Sequence, residues 1–510
     1  MKQILFGGRS TDLLHATATE YNLIQTSYIN WTATIAMVDC PMPTAGTISG
    51  LKVKLDAAPG AGTSYVFTVM KNGEATDVTC AIADAATTAE DTAHSASFVA
   101  GDTVCLRCVP TGTPTARYVL WASVFEGSVA NESILLARVY YYGTNVYYHS
   151  LGDNVRSTTE AYVRNVIPTP GAIKKLYVLS PAPGAGKSRT FTLRKNGSSQ
   201  TLTCTVADAA TTANDTANSV SVAAGDVVSL TTTPTGTPAD VYLTWGLVFL
   251  ADINGESVVL GANADLLDAA ATEYVTLPGG NPWNATEANR LVLSKACTLK
   301  KFYGALDDTP GGAGKSYAFT VRQNAASPAN GLTFSIATDA TTGNDTAHEI
   351  AVADGDTLAI QSVPTGTPTA RYLGWGLVCY VEPPPLYTSL TIDALLKGAA
   401  TEGVTIDALL QDTDDASLAV DAILVDQSYS APYYIEVRDP DGVLLGTIKD
   451  IISGSLEQET NMPDVLSLAI PLNEIRASLI TRKNELWVRD SVTDTVLSIC
   501  KLQIAEEVDG

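Results

Sequence analysis

The chain has 510 residues, room for several domains of about 100 to 200 residues each. Lys and Arg number 31 against 54 Asp and Glu, and the resulting net charge of −23 repels phosphate backbones and anionic membrane surfaces, so no nucleic-acid partner is expected. With hydrophobic residues at 45% and charged residues at 17%, the composition excludes a disordered acidic chain.

The N-terminal Met1-Lys2-Gln3-Ile4-Leu5-Phe6 holds too short an apolar run for a secretory leader. The densest apolar window, Val241 to Ala251, is broken by Thr244 and falls short of the about 20 residues that a spanning helix needs, so no membrane span is expected.

Three copies of one unit then fill the first three quarters. Pro59-Gly60-Ala61-Gly62-Thr63-Ser64 recurs at Pro183 to Ser188 and, with Gly311 in place of the proline, at Gly311 to Ser316. Asp91-Thr92-Ala93 returns at Asp215 and Asp345, and Gly101-Asp102 at Gly225 and Gly355. Pro110-Thr111-Gly112-Thr113-Pro114 returns at Pro234 and Pro364, followed each time by a tryptophan: Trp121, Trp245, Trp375. Constant spacing between copies means that whole domains were duplicated, with units at 1–127, 128–254 and 255–382.

Inside each unit, runs such as Tyr65-Val66-Phe67-Thr68-Val69 are rich in β-branched and aromatic residues, and two of the three end in Asn-Gly (Asn72-Gly73, Asn196-Gly197), the signal for a two-residue hairpin. The third has Gln323-Asn324 and a longer excursion through Pro328. Short runs separated by Gly, Pro, Asp and Thr predict an all-β chain of three tandem β-sandwiches, with the jelly roll as the candidate topology; the pattern carries no strand order.

Glu382-Pro383-Pro384-Pro385 reads as a stiff linker opening a different segment, 383–430. There Ile392-Asp393-Ala394-Leu395-Leu396 recurs as Ile406-Asp407-Ala408-Leu409-Leu410 and as Val420-Asp421-Ala422-Ile423-Leu424. A unit this small cannot bury its own apolar face, so Ile392, Leu395, Leu396, Ile406, Leu409, Leu410, Val420, Ile423 and Leu424 are candidate oligomerisation residues. The period resembles that of trimeric β-spiral shafts in viral fibres, which implies a homotrimer. A linker docked on adjoining domains explains the same residues.

From 431 to 510 the chain reads as a compact β-domain, with alternation in Tyr434-Ile435-Glu436-Val437, a turn at Asp439-Pro440-Asp441-Gly442, and a short helix expected over Asn473 to Ile480. The segments Tyr433 to Ile451, Ser455 to Leu472 and Asn484 to Asp490 resemble the first β-barrel of hub and tail-tip proteins of long-tailed bacteriophages. The Gly, Thr and Ala-rich units with Pro-Thr-Gly-Thr-Pro turns also resemble structural modules of phage virions. These resemblances imply a tail-associated virion structural protein assembled in the host cytoplasm, not an enzyme, with itself, other virion proteins and a host-surface glycan as partners. Alternatives are a capsid or tail-tube decoration protein, a carbohydrate-binding surface adhesin, and a tail-tip glycan or cell-wall hydrolase.

No cofactor or metal is expected. Gly184-Ala185-Gly186-Lys187-Ser188 and its sister at Lys315 lack the first glycine of a phosphate-binding loop and lead into strands. Cys105-Leu106-Arg107-Cys108 has no second pair of ligands, and the eight cysteines read as free, mostly packed thiols. The acidic turn at Asp84, Glu90 and Asp91 has the oxygen donors of a calcium loop, and turn capping explains it more cheaply. Trp121, Trp245 and Trp375 lie in apolar strands as core anchors. Trp31 and Trp283, and the cluster Tyr140, Tyr141, Tyr142, Tyr147 and Tyr148, are candidates for glycan stacking or for packing between units.

Overall fold

The structure is a computed structural model. It describes residues 1–382 except 10–11, 26–29, 264 and 281, and beyond them the backbone of eight strands between Thr405 and Ala505. Two compact units result, Met1–Glu382 and Pro383–Gly510, and the described residues are all-β.

The first lobe holds β1 (Lys2–Gly7), β2 (Glu20–Asn22), β3 (Cys40–Pro41), β4 (Gly46–Leu55), β5 (Gly60–Lys71), β6 (Glu74–Asp84), β7 (Thr88–Glu90), β8 (Ser95–Phe98), β9 (Thr103–Thr111) and β10 (Val119–Gly127). One sheet runs β1-β10-β4 with β7 and β8 both on β4; the other runs β2-β9-β5-β6 with β3 also on β9. Counting β2 with β3 and β7 with β8 as single interrupted strands, the chain alternates between the sheets except at the β5–β6 hairpin, which is the winding of a jelly roll. Alternation in sequence drives it: in β6, Val78, Cys80 and Ile82 are buried while their neighbours face out. Asn72 and Gly73, at φ 52° and 82°, close the β5–β6 hairpin in the left-handed conformation that such turns require.

The second lobe repeats the order as β11 (Glu132–Tyr141), β12 (Tyr147–His149), β13 (Arg156–Ser157), β14 (Asn165–Val166), β15 (Gly171–Leu179), β16 (Gly184–Lys195), β17 (Ser198–Asp208), β18 (Thr212–Val222), β19 (Val227–Thr235) and β20 (Val241–Ala251). The third has β21 (Glu256–Ala262), β22 (Glu273–Val275), β23 (Val292–Leu293), β24 (Cys297–Leu306), β25 (Ser316–Gln323), β26 (Thr333–Ala337), β27 (Thr342–Val352), β28 (Thr357–Thr365) and β29 (Leu373–Tyr380). In the third lobe the β25 turn uses Asn324 and Ala325 at positive φ before the excursion through Pro328.

The lobes are not beads on a string. The first strand of each lobe is buried on both faces, one towards its own core and the other towards the core of the preceding lobe. Ile134 and Leu136 of β11 join the first lobe's core, whereas Leu135 and Ala137 join that of the second. Val258 and Leu260 of β21 enter the second lobe's core. Ile4 and Phe6 of β1 enter the third's, while Leu5 stays in the first. Three such exchanges close a ring around a pseudo-threefold axis, within one chain. The runs Ile4-Leu5-Phe6 and Ile134-Leu135-Leu136 are continuous rather than alternating because neither face meets water.

In the second unit, β30 (Thr405–Gln411), β31 (Ala422–Leu424), β32 (Tyr433–Arg438), β33 (Leu444–Ile448), β34 (Ser453–Glu457), β35 (Val465–Ala469), β36 (Glu485–Asp490) and β37 (Val496–Ala505) form two sheets, β30-β37-β36-β32-β33 and β31-β34-β35. Among the described strands neither sheet closes into a barrel. β30 carries Ile406, Leu409 and Leu410 and pairs in parallel with β37; β31 carries Ile423 and Leu424 and pairs in parallel with β34. Two copies of the short repeat thus find backbone partners within the chain. Ile392, Leu395, Leu396, Val420 and the expected helix over Asn473 to Ile480 lie outside the described residues.

Candidate functional site

The tempting motifs of the sequence turn out to be architecture. In the first two lobes the glycine-rich loop turns its backbone on an acid of its own: Gly62 N–H donates to Asp84 Oδ1 and Gly186 N–H to Asp208 Oδ1, each at 2.7 Å. A carboxylate of the chain thus holds the place a phosphate would take. Asp91 accepts from Thr79, Ala93 and His94 N–H, and Asp215 and Asp345 do the same in their lobes. Against the upward push of burial, these bonds hold the three carboxyls below the usual range. No cluster able to hold a metal ion occurs among the described residues. Cys40, Cys80, Cys105, Cys108, Cys204 and Cys379 are buried free thiols, and burial pushes the Cys105 and Cys108 thiols well up, which keeps them inert.

Trp121, Trp245 and Trp375 are fully buried. Trp31, 6% exposed, packs edge-on against Trp121 at 5.6 Å, and Trp283, 8% exposed, lies 6.3 Å from Trp375. Both candidate tryptophans therefore present no face to a sugar.

The tyrosines divide differently. Tyr141 is buried and its hydroxyl donates to Asn145 O; Tyr148 lies under the Arg194 guanidinium. Tyr140, Tyr142 and Tyr147 gather around Arg156, whose guanidinium carbon is 6.0, 4.7 and 5.7 Å from the three ring centres. Sequence reasoning passed over Arg156. Its signal was alignment through strand partners: Tyr148 pairs with Ser157 as Tyr21 does with Thr32 and Tyr274 with Asn284, so Arg156 stands where the sister lobes have Trp31 and Trp283. Tyr147 likewise stands where they have Glu20 and Glu273, carboxylates that accept from loop N–H groups. The loop 142–146 is also much shorter than its counterparts 8–19 and 263–272. Arg156 turns to the rings instead of the core, and His149 takes over the packing on Trp245 at 5.4 Å.

Arg156 opens onto a cleft of about 420 Å³ at the seam between the second and third lobes, lined by Tyr147, Asn154 and Val155 on one side and by Asn263, Asp265 and Pro282 on the other. No family model and no curated protein matches the sequence. The cleft's back is pinned by Asp153, which is fully buried and accepts from Val155 N–H, Ser150 Oγ–H and, across the seam, Ala262 N–H. Burial pushes its carboxyl up to about 7, against the pull of those bonds. His149, which packs on Trp245, is driven down to about 3 by burial and by the Arg156 charge.

The seams carry the remaining buried charge. Glu132 of the second lobe is reached by Lys174 at 2.9 Å and Lys175 at 2.7 Å, with Thr44 of the first lobe donating its hydroxyl. Glu256, Lys300, Lys301 and Thr169 repeat this at the next seam. Consecutive strand residues normally point to opposite faces; a β-bulge with Lys175 and Lys301 at φ 54° and 53° swings both lysines onto one carboxylate. At the closing seam the sister residues are Lys2, Ser49 and Gly50, and a different network, Lys52 and Lys295 with Glu90 and Asp354, joins the third lobe to the first.

Proposed function

We propose that this chain is a tail-associated structural protein of a bacteriophage virion, with the ring of jelly rolls as a rigid attachment head and no catalytic step of its own. The single observation that supports the reading best is the ring itself: three duplicated lobes spend a whole strand each on mutual burial, which makes one stiff body presenting loops in three directions. The resemblance of Tyr433 to Asp490 to a tail-tip barrel supplies the link to a virion. Other virion proteins are then the partners of the second unit, the head meets the host surface, and self-association of the chain falls to residues 387–430.

Mass spectrometry of purified particles from the host that carries this gene tests the reading. The chain is expected in stoichiometric amounts in tail fractions after density-gradient purification. Recovery in the soluble lysate, with none in particles, would sink it.

A further inference from the structure

Arg156 is an anomaly of charge. In a chain of net charge −23, it is a cation with no carboxylate partner among the described residues, though Asp265 lines the same cleft. The seam lysines, by contrast, are paired: Lys174, Lys175, Lys300, Lys301, Lys52 and Lys295 all meet acids within 3.2 Å, while the seam arginines Arg138 and Arg164 donate across the seam to backbone carbonyls, Met37 O and Leu306 O. Three tyrosine ring centres lie within 6.0 Å of the guanidinium carbon, and its fork of N–H donors, which meets no acceptor among the described residues, is suited to an oxyanion.

The rest of the lining narrows the ligand. Tyr147 and Pro282 offer flat apolar surface, the kind that covers the C–H face of a saturated ring. The exposed Asp265 carboxylate offers an acceptor matched to hydroxyls. Asn154 adds a buried Oδ1 that accepts no hydrogen bond from any described residue. The volume lies within the range of about 300–1,000 Å³ typical of small-ligand sites. The two walls come from different lobes and are tied together by Asp153, so the cleft is formed before any ligand arrives.

We propose that this cleft binds a carboxylate-bearing sugar, with Arg156 pairing to its carboxylate and Tyr147 covering its ring. The sister lobes have tryptophan in place of the arginine, so one such site exists per ring among the described residues. The assignment rests on the attachment reading for the source of the sugar, a host-surface polysaccharide, and on geometry alone for binding. Particle analysis and the following measurement can therefore fail independently.

The test is isothermal titration calorimetry of the full chain with tetragalacturonate, with its fully methyl-esterified form and with a tetraglutamate peptide. Saturable binding of the acid at one site per chain is expected, at least tenfold weakened by esterification. Arg156→Gln should weaken it at least tenfold and Arg156→Lys less, because an ammonium keeps the charge but loses the fork. Arg156→Trp restores the residue of the sister lobes and should abolish binding with the melting temperature retained. Three results would each overturn the proposal: no saturable binding of the acid, equal binding of the ester, or native affinity in a folded Arg156→Gln or Arg156→Trp protein. Binding of tetraglutamate without tetragalacturonate would also overturn it, in favour of an acidic peptide. If Arg156→Gln does not fold, the acid-to-ester ratio on the unaltered chain decides.

Discussion

His149 shows how a single position departs from its sisters and what that costs. Asn22 and Val275 occupy its place in the other lobes, where no titration is possible near neutral pH. Buried against Trp245, with Thr232 Oγ1 at 3.0 Å from Nε2 and Arg156 nearby, His149 stays neutral down to about pH 3. Its folded pKa lies below the unfolded value of about 6.5, so the folded state binds fewer protons than the unfolded one between those limits. Stability from this residue is therefore full above pH 6.5 and falls as pH drops towards 3. Asp153 and Glu273, both raised to about 7 by burial, work in the opposite sense, losing stability as pH rises from about 4 to 7. Comparing His149→Asn with the unaltered chain cancels those two. From pH 6.5 to 4.5 the unaltered chain should lose about 2 kcal/mol more than the variant in urea unfolding of residues 1–382. Equal pH slopes would show that His149 is not held neutral.

At the scale of strands, two of the seams depend on what the last strands of the second and third lobes lack. A Cβ on Gly376 of β29 would lie 1.9 Å from Val166 O of β14, and one on Gly246 of β20 would lie 2.2 Å from Pro41 O of β3. Neither glycine needs a special backbone angle; each is small because the neighbouring lobe's backbone passes over it. Gly376→Ala should therefore destabilise the ring by about 1–3 kcal/mol, the usual cost of overpacking. The loss should be local, with faster amide exchange at Arg164 to Val166. Gly312→Ala, with open space around its Cβ, serves as the control and should leave both readouts unchanged. Unchanged exchange at Arg164 to Val166 in a folded Gly376→Ala protein would contradict the seam. The glycine–tryptophan stretches at Trp245-Gly246 and Trp375-Gly376 were visible in the sequence as core strands. Their glycines carried no sign of an outside partner, because a missing side chain leaves the same mark whether it makes room for a turn, a ring or another backbone.

For the whole molecule, the ring bears on the assembly of the head. A trimer of separate jelly rolls satisfies its apolar edges with other chains; here the three copies are already joined, and Ile4 and Phe6 close the circle. Residues 1–382 should thus be a monomer by light scattering at micromolar concentration, and any trimer of the full chain should arise from 387–430. A stable trimer of residues 1–382 would mean that the lobes exchange their first strands between chains. The closing seam, with its ion network in place of the glutamate–lysine cluster, is where such an exchange would begin.

Period-2 alternation, turn chemistry and constant offsets were enough to read an all-β chain, three duplicated units and the inward tryptophans, because each reports whether a residue meets water, a property local to the strand. By what a face is covered is not local. Phe6 and Leu136 are apolar in the sequence for the same reason as Phe67, yet they fill a neighbour's core, and only the fold brings that neighbour against them. The cleft was half legible: Tyr140, Tyr142 and Tyr147 stood out as aromatics, while Arg156 carried no mark of its own. Its equivalence to Trp31 and Trp283 emerges only from strand pairing across loops of unequal length, and the opposite wall, with Asn263, Asp265 and Pro282, arrives from another lobe through ring closure, a choice made by the burial of whole strand faces and not by any short stretch of sequence.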